Sequence, residues 1–293
     1  MDISHQITGH TKIIGVIGSP ISHSRSPQMH NAAISKACLD YVYVPFHVGV
    51  DAIENAINGF RALNVVGINV TIPHKQSVMP FLTSISREAE LIGAVNTLTF
   101  SDGEIHGENT DAPGFIKAME EAGASPPKDK DVVVIGAGGS ARAVVVALTL
   151  AGAKKVTIAN RTEAKAIALA EELSDKINTN NETDGYITQL IGMGLTDTRL
   201  SNAVRECTLI VNTTSATMDN THPLLIDQNW IQSSTTVYDI VYTPPMTTLL
   251  IAASNRGCTI VGGIGMLVHQ GAIAFERWTG VKPCVDTMRA ALA

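Results

Sequence analysis

Lys75 ends the run Asn69-Val70-Thr71-Ile72-Pro73-His74-Lys75, and Asp111 lies within Gly107-Glu108-Asn109-Thr110-Asp111-Ala112-Pro113-Gly114. Brought side by side, a lysine and a carboxylate make a proton-transfer pair. The carboxylate holds the ammonium in place, and partial desolvation eases the loss of its proton. Asn96, in Gly93-Ala94-Val95-Asn96-Thr97, adds a neutral donor and acceptor. Ser22 and Ser24, two residues apart in Pro20-Ile21-Ser22-His23-Ser24-Arg25-Ser26, can both donate to one carboxylate. Plainer readings stand beside these. A surface lysine is usually solvated, and loop serines often cap helices, the role expected of Ser26.

A second group points to phosphate chemistry. Gly136-Ala137-Gly138-Gly139-Ser140-Ala141 follows the apolar run Asp131-Val132-Val133-Val134-Ile135 and precedes a helix-like stretch, 142–150. In a strand–turn–helix context, the first glycine of such a loop allows a tight turn. The second lets the backbone approach a pyrophosphate, and the small third residue lets helix and strand pack closely. The phosphates then meet free N–H groups at the helix N-terminus. A glycine-rich βα turn with no ligand is the alternative, and strand and helix together favour a dinucleotide.

The next strand, 155–159, ends in Asn160-Arg161-Thr162. No acid stands at this tip to accept from a ribose 2′-hydroxyl; the first is Glu163, after the turn. Arg161 offers a planar fork of donors suited to a 2′-phosphate, and Lys165 adds charge. A solvated basic turn is the bland alternative. A charge-assisted contact of about 1.5–3 kcal/mol predicts roughly a 10- to 150-fold preference for NADP over NAD.

The elements that must position these residues alternate strand and helix. Strands are expected at 12–17, 41–47 and 66–72, helices at 26–37 and 51–63, a helical turn from His74, a short helix at 86–93, and a hairpin of 94–100 with 104–108. A linker, 123–130, contains Pro126-Pro127. Beyond the glycine loop, strands at 208–212, 236–240 and 259–261 imply a parallel doubly wound sheet. Residues 178–194 are polar and poorly periodic, and read as a long loop with one strand at most. Helices are expected at 266–279 and 284–292. The fold class is α/β in two domains: residues 1–112 with 266–293, and a Rossmann-type unit, 113–265.

Composition narrows the function. Of 293 residues, 45% are hydrophobic and 4% aromatic, so the core must be aliphatic. The net charge of −6 comes without a basic block, which argues against nucleic acid. No apolar run is long enough to span a membrane, and the polar N-terminus lacks a signal-peptide core. The four cysteines, Cys38, Cys207, Cys258 and Cys284, share no close spacing. They read as reduced, mostly structural thiols of a cytoplasmic protein. The nine histidines form no metal-ligand cluster.

Together these segments resemble the shikimate dehydrogenase family along nearly the whole chain. Further matches are Asn212-Thr213-Thr214-Ser215, Asp239-Ile240-Val241-Tyr242 and Gly265-Met266-Leu267-Val268-His269-Gln270-Gly271. The resemblance implies reversible reduction of 3-dehydroshikimate to shikimate with NADPH, in aromatic amino-acid biosynthesis. It implies that Ser22 and Ser24 hold the substrate carboxylate, with Tyr242 nearby, and that Asn96, Thr71 and Gln270 bind ring hydroxyls. Lys75 would move the proton and Asp111 would orient it. Thr213 and Ser215 would line the nucleotide path, and Ile240, Gly263 and Met266 would approach the nicotinamide. The C-terminal helices would return to the first domain, with the active site in the cleft between domains, in a monomer or homodimer.

The chain departs from the family at Thr217, where glycine is common, and at Gly263, which follows Gly262 where aspartate is common. The stretch 175–205 resembles an insertion of the quinate/shikimate subgroup, which also uses NAD; Ser24, His74 and the Arg161-Thr162 pair fit the biosynthetic form. A quinate/shikimate enzyme of dual cofactor use is therefore one alternative, and a catalytically idle NADP-binding sensor is another.

Overall fold

The computed structural model describes residues 7–180, 187–218 and 224–293. The chain forms two compact units, Met1–Thr110 with Val268–Ala293, and Asp111–Leu267.

The first unit is built on a mixed six-stranded sheet. Its elements in chain order are β1 (Lys12–Gly18), α1 (Ser26–Lys36), β2 (Tyr41–His47), α2 (Ile53–Ala62), β3 (Gly67–Val70), β4 (Ser84–Ile85), α3 (Arg87–Ile92), β5 (Thr97–Ser101) and β6 (Glu104–Glu108). The strand order is β2-β1-β3-β5-β6-β4. β1 runs parallel to both neighbours, whereas β5 is antiparallel to β3 and β6. β1 and β3 are buried almost throughout, as strands covered on both faces must be. α2 buries Ile53, Ile57 and Phe60, spaced as one helical face. They pack with Ile17, Ile68, Leu98 and Ile105. Ser86 caps α3 by accepting from the Ala89 N–H at 3.2 Å.

The second unit has α4 (Asp111–Glu121), β7 (Asp131–Ile135), α5 (Gly139–Leu150), β8 (Lys155–Asn160), α6 (Glu163–Asn180), β9 (Gln189–Gly194), α7 (Leu200–Glu206), β10 (Leu209–Asn212), β11 (Thr236–Asp239), α8 (Thr248–Asn255) and β12 (Thr259–Val261). All six strands are parallel, in the order β12-β11-β10-β7-β8-β9, which is the doubly wound arrangement. Val133, Ile135, Leu200, Ile210, Val237 and Leu249 form part of its aliphatic core. α9 (Ile264–Thr279) begins in this unit and ends in the first, where α10 (Val285–Ala290) lies along α1.

Three expectations are corrected. Residues 178–194 hold the one strand allowed there, β9, which pairs with β8 from Gln189 to Gly194, but the stretch begins as helix, since α6 continues to Asn180. A buried parallel neighbour and the covering helix α6 supply what weak periodicity did not reveal. The rest of that stretch, 181–186, falls outside the described residues. Ser26 is not a helix cap. Arg25 occupies that position without a side-chain cap, and Ser26 is buried with its hydroxyl facing Tyr43. The helical turn expected from His74 forms, the Val78 N–H donating to His74 O at 3.0 Å. All four cysteines are free, but Cys38 and Cys284 are exposed and only Cys207 is buried.

His30 is fully buried, stacked on Tyr43 with ring centroids 4.2 Å apart, and close to Phe275 and Trp278. Neither ring nitrogen has a hydrogen-bond partner. Burial holds its pKa down to about 3, against 6.5 for an ordinary histidine. The folded state therefore resists a proton that the unfolded chain accepts. The stability this neutral ring supports is present above pH 6.5 and declines as pH falls toward 3. Near pH 4.5 the loss is about 2–3 kcal/mol. His30→Leu should flatten the fall in urea-unfolding free energy between pH 7 and pH 4.5 by about that amount; an unchanged slope would reject this assignment.

Candidate active site

In the first unit the loops leaving β1 and β3 are tied together. The Thr71 N–H donates to Ile17 O at 2.9 Å, and the Ser19 N–H donates to Ile72 O at 3.0 Å. The β1 loop carries Ser22, which is exposed and has no side-chain hydrogen bond among the described residues, and Ser24, which is half-buried. Ser24 Oγ accepts from the Ser26 N–H at 3.4 Å.

The β3 loop carries Thr71, His74 and Lys75. Lys75 is buried rather than solvated, which removes the plainer reading of this lysine. Its carbonyl accepts from the Val95 N–H at 2.8 Å. The His74 ring is buried, and its Nε2 lies 2.7 Å from Val48 O. A carbonyl only accepts, so the proton sits on Nε2, and Nδ1 is left without a partner.

Behind this loop lies a buried amide and hydroxyl web. Asn69 accepts from the Tyr43 hydroxyl at 2.7 Å and donates to Asn96 O and Thr97 Oγ1, both at 3.2 Å. Asn96 Oδ1 accepts from the Thr110 N–H at 2.7 Å and from Thr97 Oγ1 at 3.0 Å, while its Nδ2 donates to Thr110 Oγ1 at 3.0 Å. Asn109 Nδ2 donates to Ala94 O at 2.9 Å. These bonds fix Asn109-Thr110, the two residues before Asp111. Asp111 itself is buried as the first residue of α4. Gln270 is buried on α9, next to Gly271, which packs on Met29 and His30 of α1.

In the second unit the glycine loop stands where the strand order reverses, between β7 and β10. Gly136 has φ +118°, and a side chain there would overlap the Thr213 hydroxyl. Thr213 Oγ1 is held by donating to Ile135 O at 2.7 Å. Gly138 is the N-cap of α5 without any side-chain cap, and the space beside its Cα is open. The first turn, Gly139-Ser140-Ala141, thus presents backbone donors to that space, and buried Ala141 lets α5 sit close to the sheet. Ala137 is half-buried in the same turn. These features fit a dinucleotide pyrophosphate. Arg142 is committed elsewhere: its guanidinium makes a two-pronged pair with Glu172, Nη1 to Oε1 being 2.9 Å. That pair holds the Glu172 carboxyl down at about 2 and links α5 to α6.

At the tip of β8, Asn160 Nδ2 and the Lys165 N–H both donate to Thr162 O, at 2.9 and 3.1 Å. Arg161, Thr162 and Lys165 are exposed, and neither cation joins a salt bridge among the described residues. Glu163 lies against Gly194 of β9.

Sequence reasoning missed the buried web at the ends of β10 and β11. Asp239 Oδ1 accepts from Asn212 Nδ2 at 2.9 Å and the Val241 N–H at 3.0 Å; Oδ2 accepts from Thr217 Oγ1 at 2.9 Å and Thr247 Oγ1 at 2.7 Å. Burial pushes this carboxyl up, and the four donors oppose the shift. Gly263 lies so close to Ile240 that a side chain would overlap the Ile240 carbonyl. Ile240 and Tyr242 are half-buried, Met266 is buried, and Ser215 is exposed. Among the described residues no group of three or more His, Cys, Asp or Glu could hold a metal, and no helix is long and apolar enough to cross a membrane.

Known proteins resemble this chain along its whole length. Three family models match: the shikimate dehydrogenase substrate binding domain over residues 16–98, shikimate/quinate 5-dehydrogenase over 119–191, and the shikimate 5′-dehydrogenase C-terminal domain over 263–293. The shikimate dehydrogenase (NADP+) of Methanopyrus kandleri is 42% identical, covering 100% of this chain and 98% of its own. The chain belongs to the shikimate dehydrogenase family. A crystal structure of a shikimate dehydrogenase with NADP+ superposes with TM-score 0.86 at 40% identity, covering 98% of this chain and 96% of the other. The Thermus thermophilus shikimate 5-dehydrogenase with NADP(H) and shikimate gives 0.82 at 33% identity, over 96% and 98%.

Gly136→Ala should weaken NADP+ binding by roughly tenfold or more, since strain at such a φ costs about 1–3 kcal/mol and the new methyl displaces Thr213. Fluorescence titration with NADP+ reads this directly, and unchanged affinity would count against the loop as the pyrophosphate site.

Proposed function

We propose that this protein is an NADP-dependent oxidoreductase that interconverts 3-dehydroshikimate and shikimate, in the cytoplasm, as a monomer or homodimer. In this reading the unit containing β1–β6 binds the substrate and the unit containing β7–β12 binds the cofactor. The observation that carries it is Lys75: a buried lysine held at the end of β3 beside the Asn96 web, in a chain that also carries an uncapped glycine loop.

The substrate is small, anionic and polyhydroxylated, so its site must supply hydrogen bonds rather than an apolar pocket. Ser22 and Ser24 donate to its carboxylate, with Tyr242 nearby. Thr71, Asn96 and Gln270 meet ring hydroxyls. When bound, the reduced nicotinamide supplies a hydride to the carbonyl carbon. The Lys75 ammonium gives its proton to the carbonyl oxygen in that direction, and the resulting neutral amine takes the hydroxyl proton in reverse. Asp111 accepts from the same hydroxyl and orients the ammonium. The pyrophosphate rests on residues 136–141, and Arg161 with Lys165, Asn160 and Thr162 receive the ribose 2′-phosphate. Thr213 and Ser215 line the nucleotide path, while Ile240, Gly263 and Met266 meet the nicotinamide end.

Lys75→Ala should lower kcat for shikimate oxidation by about 10²–10⁴ or more, the range for a general acid–base group, while binding of shikimate and NADP+ persists. Loss of binding together with turnover would give Lys75 a structural role instead. Arg161→Ala should shrink the NADP/NAD ratio of kcat/KM by about 10- to 150-fold. An unchanged ratio would remove Arg161 from the cofactor site.

A further inference from the structure

The Asp239 carboxylate binds three separate chain segments together. Asn212 ends β10, Thr217 lies five residues further in the following loop, and Thr247 caps α8 by accepting from the Leu250 N–H at 3.3 Å. The Thr247 hydroxyl also donates to Asp239 Oδ2 at 2.7 Å. Thr217 Oγ1 accepts from Asn212 Nδ2 at 3.1 Å and donates to Asp239 Oδ2 at 2.9 Å. All four partners are therefore donors, and none is a cation. These donors favour the ionised carboxylate, which accepts only, against the burial that pushes its pKa up.

What the carboxylate holds is the far wall of the switch point. Asn212 Oδ1 also accepts from the Thr214 N–H at 3.0 Å and Oγ1 at 2.8 Å, which sets the turn carrying Thr213 and Ser215. The Val241 N–H bond fixes the peptide just after Ile240, and Gly263 is packed on the Ile240 carbonyl. Ligands of open parallel sheets bind outside the carboxyl ends of the strands, at the reversal of strand order, and these loops flank that place.

We propose that Asp239 and Thr217 are positioning residues for the nicotinamide half of the cofactor, acting through the 213–215 turn and Ile240. The proposal rests on the reading of this unit as the NADP site. Thr217 acts here as an additional clasp: its hydroxyl satisfies one lone pair of the buried carboxylate and ties the 213–217 loop to the β11 end. The departure from the family's common glycine thus strengthens the cofactor wall rather than disturbing it.

The test is ligand binding to the intact protein carrying Thr217→Val, which removes the hydroxyl at nearly constant volume, and Thr217→Ser, which keeps it. Dissociation constants are measured for NADP+ and for 2′,5′-ADP, which shares the adenosine 2′-phosphate but lacks the nicotinamide. Thr217→Val should weaken NADP+ by about three- to tenfold, part of the value of a hydrogen bond to a charged group, and 2′,5′-ADP by less than about twofold. Thr217→Ser should restore NADP+ binding. Equal weakening of both nucleotides without rescue by serine would mean a general structural role and overturn the proposal, as would unchanged NADP+ affinity. Wild-type protein that binds neither nucleotide would overturn the cofactor reading itself. Wild type that binds NADP+ but leaves shikimate unoxidised would overturn only the substrate reading.

Discussion

Buried side-chain hydrogen bonds at the carboxyl ends of parallel strands are the constraint on which both units depend. A polar group removed from water must find partners, and these partners fix loop geometry. In the first unit Asn69 and Asn96 link β3, β5 and the Asn109-Thr110 segment. Lys75 and Asp111 are borne by backbone that this web holds. In the second unit Asp239 does the corresponding work for the ends of β10 and β11. A site that moves a proton and a hydride between two small ligands needs such rigid support, because small misplacements of reacting groups are costly.

The charge balance follows the same local logic. The protein is net acidic, yet both ligands it is read to take are anions. Attraction must come from short-range donors. In the proposed reading these are the backbone N–H groups at the start of α5, the exposed Arg161 and Lys165 after β8, and the serines after β1. Arg142, which stands in the first turn of α5, is excluded from that role by its pairing with Glu172. Its contribution is to bind α5 to α6, the helices that follow the glycine loop and the 160–162 tip.

Much of this was legible in the sequence because the responsible signals are local. The run from Asp131 to Ala141 specifies strand, turn and helix at once, and alternating elements imply a doubly wound sheet. β9 reads in the sequence only as one strand at most within a loop, because its residues are weakly periodic and its stability comes from β8 and α6, packed against it by the fold rather than by a local pattern. Ser26 looked like a cap by residue type, and only its burial beneath Tyr43 shows otherwise. The Asp239 web was invisible for the same reason: Asn212, Thr217, Asp239 and Thr247 are ordinary residues until the strand ends bring them together. Thr217 looked like a defect in the glycine pattern because its partner lies 22 residues away.

The most direct test of the account is a four-way steady-state assay at one pH, with shikimate or quinate, each with NADP+ or NAD+. The account predicts that kcat/KM for shikimate with NADP+ exceeds every other combination by roughly tenfold or more, as the Arg161 contact requires. Comparable turnover with quinate or with NAD+ would contradict it, and absence of turnover with shikimate would remove its catalytic claim.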